Sequence, residues 1–292
     1  MPLEVPAGWK LCETSASLAL VTRAVFEQPD GSRVEWTSRR HRKRLGLRRE
    51  GSTGAGRWTR ARWSSVLLGG LFMVGSLCFA VGSLPLYADH VSVSTVGWTF
   101  FVGSIFFTSA AFVQYRESIT APVGPASDAP APRGFRRLLA WSPHRIDWWV
   151  SVVQLVGTLA FNVTTFAATR TNLTVVQDRR WVWVPDAVGS ACFLLSSAGA
   201  FVEAAGGGRG VWRRSIGGWS SMLNLAGSVA FGVSAIAGRY LHSTGEIANI
   251  ALVNLGTFVG AVCFFVGAAL LPVESARDSE PEPQRTRIGT DA

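Results

Sequence analysis

Four polar side chains lie inside otherwise apolar stretches of the chain, and they are the residues best suited to binding or chemistry. Amide, carboxyl and hydroxyl groups held within a membrane could line a path for a substrate or an ion. They could equally form hydrogen bonds between helices, which contribute about 0.6–2 kcal/mol per contact in membranes. Interhelical bonding is the simpler interpretation, and a polar intramembrane layer is the functional alternative. The four residues are Gln154, Asp186, Asn224 and Thr257.

No other pattern of catalytic or metal-ligating residues is found in the sequence. The four histidines are scattered along the chain, and no cysteine or histidine pair has the spacing of a zinc site. Three of the four cysteines, Cys78, Cys192 and Cys263, lie inside apolar stretches, which predicts free thiols. The sequence therefore predicts no catalytic residue, no cofactor and no metal, and we expect that the protein is not an enzyme.

Six apolar segments must position the polar residues. Only 16% of the 292 residues are charged, whereas soluble domains average about 25%. A helix needs about 20 mostly apolar residues to cross a bilayer. Composition and segment length therefore predict an all-α membrane protein with six transmembrane helices. The predicted spans are residues 65–87, 91–113, 148–169, 185–204, 219–238 and 247–271.

One pattern, Gly-(Ser/Thr/Ala)-x-x-Phe, recurs near the middle of every predicted span. A small residue follows the glycine by seven positions, and the four polar residues each precede a glycine by three. These positions share one helix face, where glycine lets a neighbouring helix approach closely and phenylalanine fills the groove. The pattern therefore predicts a helix-packing face. Its members are Gly75 and Phe79, Gly103 and Phe107, Gly157 and Phe161, Gly189 and Phe193, Gly227 and Phe231, and Gly260 and Phe264.

The recurrence of this pattern predicts a duplicated unit. Consecutive spans run in opposite directions, so the natural unit is a helical hairpin, at residues 65–117, 148–204 and 219–271. Three hairpins of the same orientation predict pseudo-threefold symmetry about the membrane normal.

The first hairpin resembles a known family. Its two helices contain Gly75-Ser-Leu-Cys-Phe79 and Gly103-Ser-Ile-Phe-Phe107, the second preceded by Gly97-Trp98. This sequence is similar to the YrhK-like membrane domain, a bacterial family of two-helix units with Gly-Ser-x-x-Phe in each helix. The resemblance implies a helical membrane hairpin in residues 65–117, and it implies no catalytic residue.

The distribution of basic residues predicts the orientation of the spans. Basic residues near short loops remain on the cytoplasmic side during insertion. Of the 28 lysines and arginines, only four lie on the side opposite the termini. Both termini are therefore predicted to be cytoplasmic, in a multi-pass protein of the plasma membrane. The four exceptions are Arg170, Arg179, Arg180 and Arg239.

Residues 1–64 are predicted to form a basic cytoplasmic segment with a small β-hairpin at residues 14–38. Pro29-Asp30-Gly31-Ser32 has the composition of the turn. An arginine cluster follows, and such clusters are attracted to anionic lipid headgroups by about 1 kcal/mol per basic residue. Nucleic-acid binding is disfavoured because no recognised motif accompanies the charge. The arginine cluster consists of Arg39, Arg40, Arg42, Lys43 and Arg44.

The remaining segments connect the hairpins. Residues 118–147 are predicted to form a cytoplasmic linker rich in proline and alanine, and residues 205–218 a cytoplasmic loop. Residues 272–292 are predicted to be a disordered tail, because prolines alternate there with mixed charges.

Two functions are compatible with this organisation. The first is a non-enzymatic membrane module that packs as a closed bundle and acts through a partner or the lipid surface; its apolar helices and packing faces favour it. The second is a transporter or channel for an uncharged or small solute, favoured by the repeat and the polar positions. No charged residue lies deep within a span, although proton- and cation-coupled carriers usually need one.

Overall fold

The computed structural model describes residues 5–17, 20–38, 48–49, 55–120, 141, 145–205, 215–241 and 245–277. Several predicted features lie outside the described residues. They are the arginine cluster, most of the linker 118–147, most of the loop 205–218, and the tail after Arg277.

Six long helices confirm the predicted all-α membrane architecture. Each is long and apolar enough to cross a bilayer, whose hydrocarbon core is about 30 Å thick. The long helix that begins at Val184 is continuous with the two elements before it, the short helix Val175–Asp178 and the π-helical turn Arg179–Trp183. The long helices are α1 (Ala55–Gly82), α2 (Val93–Thr120), α3 (Ile146–Ala167), α4 (Val184–Ala205), α5 (Ile216–Ala237) and α6 (Ile250–Arg277).

Three helices extend well beyond the predicted spans at the end that carries the termini. α1 begins at Ala55, α2 continues to Thr120, and α6 passes through Pro272 to Arg277. In each of these helices the apolar sequence pattern stops at polar residues, but the helix continues. Polar side chains there form hydrogen bonds with neighbouring helices. The Ser65 and Ser275 hydroxyls, for example, are 2.5 Å apart between α1 and α6. Residues 272–277 of the predicted disordered tail are therefore helical.

The six helices form a closed ring. Each helix packs against the helices that precede and follow it in the sequence, and α6 packs against α1. Because consecutive helices alternate in direction, both chain ends leave the ring on the same side. We call this the termini side, and the other the opposite side.

A small antiparallel sheet precedes the ring, in the strand order β1-β2-β3-β4. The predicted β-hairpin is present as β2 and β3. Across its turn the backbone N–H of Gln28 donates to the backbone carbonyl of Ser32 at 2.9 Å. Gly31 has a φ of +77° there, which favours glycine. Two further strands were not predicted. The strands are β1 (Lys10–Ser17), β2 (Leu20–Glu27), β3 (Arg33–Thr37) and β4 (Arg48–Arg49).

The sheet has one buried face and one charged face. Phe26 and Val34 are fully buried on the first. On the second, Arg23 of β2 bonds Glu35 of β3 at 2.5 Å and Glu13 of β1 at 3.4 Å. These contacts, the Glu35 hydrogen bond foremost, raise the pKa of Arg23. The ion pairs cross three strands and therefore help to fix their register.

Candidate functional site on the ring axis

Six phenylalanines, one from each helix, meet at the centre of the ring. Their exposed fractions are 2–5%. The ring centroids contributed by α1, α3 and α5 are 5.8–6.4 Å apart, and those contributed by α2, α4 and α6 are 5.7–6.1 Å apart. These separations are favourable for aromatic pairs. The phenylalanine core, as we call it, consists of Phe79, Phe107, Phe161, Phe193, Phe231 and Phe264.

Each glycine of the repeated pattern packs against the core phenylalanine of the other helix in its hairpin. A Cβ atom at Gly75 would lie 2.9 Å from the Phe107 ring, and one at Gly103 would lie 3.0 Å from the Phe79 ring. Only glycine allows this approach without displacing a ring. The same reciprocal contact joins the other helix pairs. They are Gly157 with Phe193, Gly189 with Phe161, Gly227 with Phe264, and Gly260 with Phe231.

Near the centre of the ring, hydroxyl groups join one hairpin to the next at two of the three seams. The Ser104 and Thr165 hydroxyls are 2.9 Å apart between α2 and α3. The Ser197 and Ser228 hydroxyls are 2.7 Å apart between α4 and α5. All of these side chains are buried. Hydrogen bonds of this kind stabilise contacts between helices in lipid.

The third seam, between α6 and α1, differs at the centre of the ring. The α6 residues that correspond in the repeat to the bonded hydroxyls of the other seams are Ala261 and Ala268. Ser76 of α1 is fully buried, and its hydroxyl has no hydrogen-bond partner in the described part of the chain. Small residues allow close approach here instead, since a Cβ at Gly69 would lie 2.9 Å from the Ala268 carbonyl oxygen.

The position seven residues before each core phenylalanine faces the ring axis. Seven residues are almost two helical turns, so the two side chains point within about 20° of each other. Phe72 and Phe100 occupy this position in the first hairpin and pack on the core. Their rings are 5.7 Å from Phe107 and 5.3 Å from Phe79, respectively. In the other hairpins this axis position holds the four polar residues singled out in the sequence.

The four polar residues lie at two levels, one on each side of the phenylalanine core. Gln154 and Asn224 belong to α3 and α5, which begin on the termini side. Asp186 and Thr257 belong to α4 and α6, which run the other way. The structure therefore separates them into two pairs. Equivalent positions of the repeated pattern fall at opposite depths in antiparallel helices.

Two of the four form interhelical hydrogen bonds. The Ser196 hydroxyl donates to Gln154 Oε1 at 3.2 Å, and the Thr257 and Ser234 hydroxyls are 2.9 Å apart. Both partners belong to the other helix of the same hairpin. Gln154 and Thr257 therefore take part in hydrogen bonds between helices. The side chains of Asn224 and Asp186 form no hydrogen bond with the described residues.

Sequence reasoning missed a third amide on the axis. Gln114 of α2 lies seven residues after Phe107, and α2 runs antiparallel to α3 and α5. Gln114 is therefore level with Gln154 and Asn224. It was overlooked because the predicted span ended at residue 113, whereas α2 continues to Thr120. The seven-residue spacing was the signal that could have found it.

A glutamate recurs at the termini end of the second helix in each hairpin, fourteen residues after the pattern glycine. The Ser64 hydroxyl donates to Glu117, and the Ser38 hydroxyl, just after β3, donates to buried Glu203. The second bond joins the sheet to α4, and β2 also contacts α3. Extending the repeat alignment beyond the apolar spans would have found these residues. They are Glu117, Glu203 and Glu274.

We expect Glu203→Ala to loosen the attachment of the sheet to the ring. A hydrogen bond to a charged group contributes about 1.5–3 kcal/mol, so amide hydrogen exchange in β2 and β3 should accelerate about tenfold or more. Exchange measured by mass spectrometry checks this. Glu117→Ala is the control, because Glu117 bonds α1 and should leave exchange in the sheet unchanged. Unchanged exchange in Glu203→Ala would contradict the attachment.

The groups on the axis can bind by hydrogen bonding. Among the described residues, no group of three or more His, Cys, Asp or Glu side chains is arranged to hold a metal ion. All four cysteines are free thiols. Amides, hydroxyls and one carboxyl group are therefore the functional groups that this site offers.

The fold defines a polytopic membrane protein with six helices that are suited to cross a bilayer. No protein-family model, curated protein or solved structure matches the chain. The resemblance of the first hairpin to the YrhK-like membrane domain accordingly stays a prediction.

Proposed function

We propose that the protein is a non-enzymatic membrane module, closed at the centre of its helix ring, that acts through a partner or the lipid surface at its termini side. The phenylalanine core carries this proposal. Six aromatic side chains with exposed fractions of 2–5% fill the axis, and close packing of this kind leaves no room for a water molecule.

In this proposal the three hairpins are copies of one unit, arranged around a pseudo-threefold axis. Three observations support it. The core forms two triangles of similar size. The glycine–phenylalanine contacts are reciprocal in every hairpin. A glutamate occupies the same position in the second helix of each.

The termini side is proposed to face the cytoplasm, with the arginine cluster near anionic headgroups. The bias of basic residues supports this orientation. Two of the four arginines on the opposite side lie over aromatic rings, and the face of an aromatic ring attracts a cation. The Arg170 guanidinium carbon is 5.7 Å from the Phe166 ring centroid, and that of Arg180 is 5.4 Å from the Trp181 ring centroid. Local stacking thus stabilises two of the four arginines on the less basic side.

A permeation assay tests the closed ring. The full-length protein is reconstituted into liposomes, and glycerol and urea entry is followed by stopped-flow light scattering. We expect the rates of protein-free liposomes, because the phenylalanine core blocks the axis. Liposomes that contain a pore-forming peptide show that the assay detects an open path. Faster entry with the reconstituted protein would contradict the proposal.

The alternative is a transporter or channel for an uncharged or small solute. The observation in its favour is that polar side chains occupy axis positions on both sides of the core, with Asn224 on one side and Asp186 on the other. Such a protein would need to move the core aside, and solute entry in the same assay would support it.

A further inference from the structure

Six side chains face the ring axis at one level on the termini side of the phenylalanine core. Those from α1, α3 and α5 precede a core phenylalanine by seven residues, and those from α2, α4 and α6 follow one by seven residues. All six are half-buried, whereas the core is buried. They are Phe72, Gln114, Gln154, Ala200, Asn224 and Leu271.

Contacts with neighbouring helices show where these side chains lie. Phe72 packs on the core ring of Phe107, and Gln154 accepts a hydrogen bond from Ser196 in the neighbouring helix. Both contacts place this level inside the ring. Side chains that face outward have a different position in the repeat, as Val156 does with an exposed fraction of 49%. Half-burial at an inward position indicates that the axis is less filled at this level than at the core.

Three of the six are amides whose hydrogen-bonding capacity is largely unused. The Gln114 and Asn224 side chains form no hydrogen bond with the described residues, and Gln154 uses only its oxygen. Each amide group offers two donor hydrogens and an acceptor oxygen. Unsatisfied polar groups are costly within the hydrocarbon region, so amides are expected there only where water or a ligand reaches them.

We propose that this level is a hydrated chamber, closed by the phenylalanine core, in which Gln114, Gln154 and Asn224 bind a small uncharged solute. The three side-chain amides offer both donor hydrogens and acceptor oxygens. The solute that fits them therefore carries both hydrogen-bond donors and acceptors, as primary amides and polyols do. None of the six side chains at this level is ionisable. A charged ligand would therefore lose its hydration without gaining a counter-charge. Phe72 and Leu271 supply an apolar wall for the carbon skeleton.

Cysteine labelling tests the chamber. The four native cysteines are replaced by alanine, and Ala200→Cys is introduced as a reporter that leaves all three amides in place. Val156→Cys, which faces lipid, is the matched control. Vesicles of either orientation receive a membrane-impermeant maleimide. We expect Ala200→Cys to react from the termini side alone, and Val156→Cys to react from neither side.

Each other labelling outcome has a distinct meaning. No reaction at Ala200→Cys from either side would overturn the chamber and leave the closed ring intact. Reaction from both sides would overturn closure at the core, on which both this inference and the proposed function depend. Permeation through the reconstituted protein would then be expected as well.

Protection of the same reporter tests the ligand class. Acetamide and acetate have nearly the same size and differ in charge. We expect acetamide and glycerol to slow labelling of Ala200→Cys at least threefold, and acetate to leave it unchanged. The double substitution Gln154→Met and Asn224→Leu, with unaltered elution in size-exclusion chromatography, should abolish the protection. Labelling that acetamide and glycerol do not slow, or that acetate slows equally, would overturn the solute site.

Discussion

Replacing Phe193 with alanine is expected to lower the free energy of unfolding by about 3 kcal/mol. The Phe193 side chain is almost fully buried, and its ring contacts those of Phe107, Phe161 and Phe264. Alanine would leave a cavity that three helices cannot fill without separating from their other neighbours. Unfolding of the purified protein by SDS in mixed micelles, followed by circular dichroism, measures the loss.

The control for this experiment is Phe112→Ala. Phe112 belongs to α2 but has an exposed fraction of 41%, on a surface that lipid solvates in the folded protein. Its removal should change the free energy of unfolding by no more than about 0.5 kcal/mol. Equal losses for the two variants would show that the core does not stabilise the ring.

We expect Gly260→Ala to be destabilising by about 3 kcal/mol, through overpacking. The new Cβ atom would overlap the Phe231 ring and would lie 2.9 Å from the Gly227 carbonyl oxygen. The backbone of α5 cannot move away, because it packs on α4 behind it. The Phe231 ring would be pushed into the other core rings. The same SDS titration measures the effect.

Gly232→Ala is the matched control for this substitution. Gly232 lies within α5, and a Cβ atom there would meet nothing within 4 Å. Alanine removes the conformational cost of glycine in a helix, so stability should rise by about 0.5–1 kcal/mol. If Gly260→Ala were equally stabilising, the close approach of α5 and α6 would be contradicted.

Much of the fold could be predicted from the sequence because the bilayer imposes simple requirements. An apolar segment of sufficient length crosses the bilayer as a helix, because only a helix satisfies its backbone hydrogen bonds there. Six helices were therefore predicted, and six are found among the described residues. The spacing of Gly75 and Phe79, repeated in every span, predicted a packing face. The glycines and phenylalanines of that face are the residues that meet at the ring centre.

The parts that were missed depend on relations between segments. Spacing within one helix does not specify its neighbours, so the residues that join α6 to α1 were not predicted. The polar residues lie at two levels because neighbouring helices run in opposite directions. Comparing equivalent positions of the repeated pattern does not reveal this difference in depth. Strand β1 (Lys10–Ser17) lacks apolar alternation because its side chains are largely exposed, and its backbone pairing with β2 holds it in the sheet.

The closure of the ring between α6 and α1 means that the helix bundle has no intrinsic first or last hairpin. The outermost helices of the chain are spatial neighbours, and both chain ends leave on the same side. A circular permutation that joined the present ends and opened the connection after Thr120 would keep every helix between the same two neighbours. The order of the hairpins along the polypeptide is therefore a matter of gene arrangement and membrane insertion, and the packed ring does not dictate it.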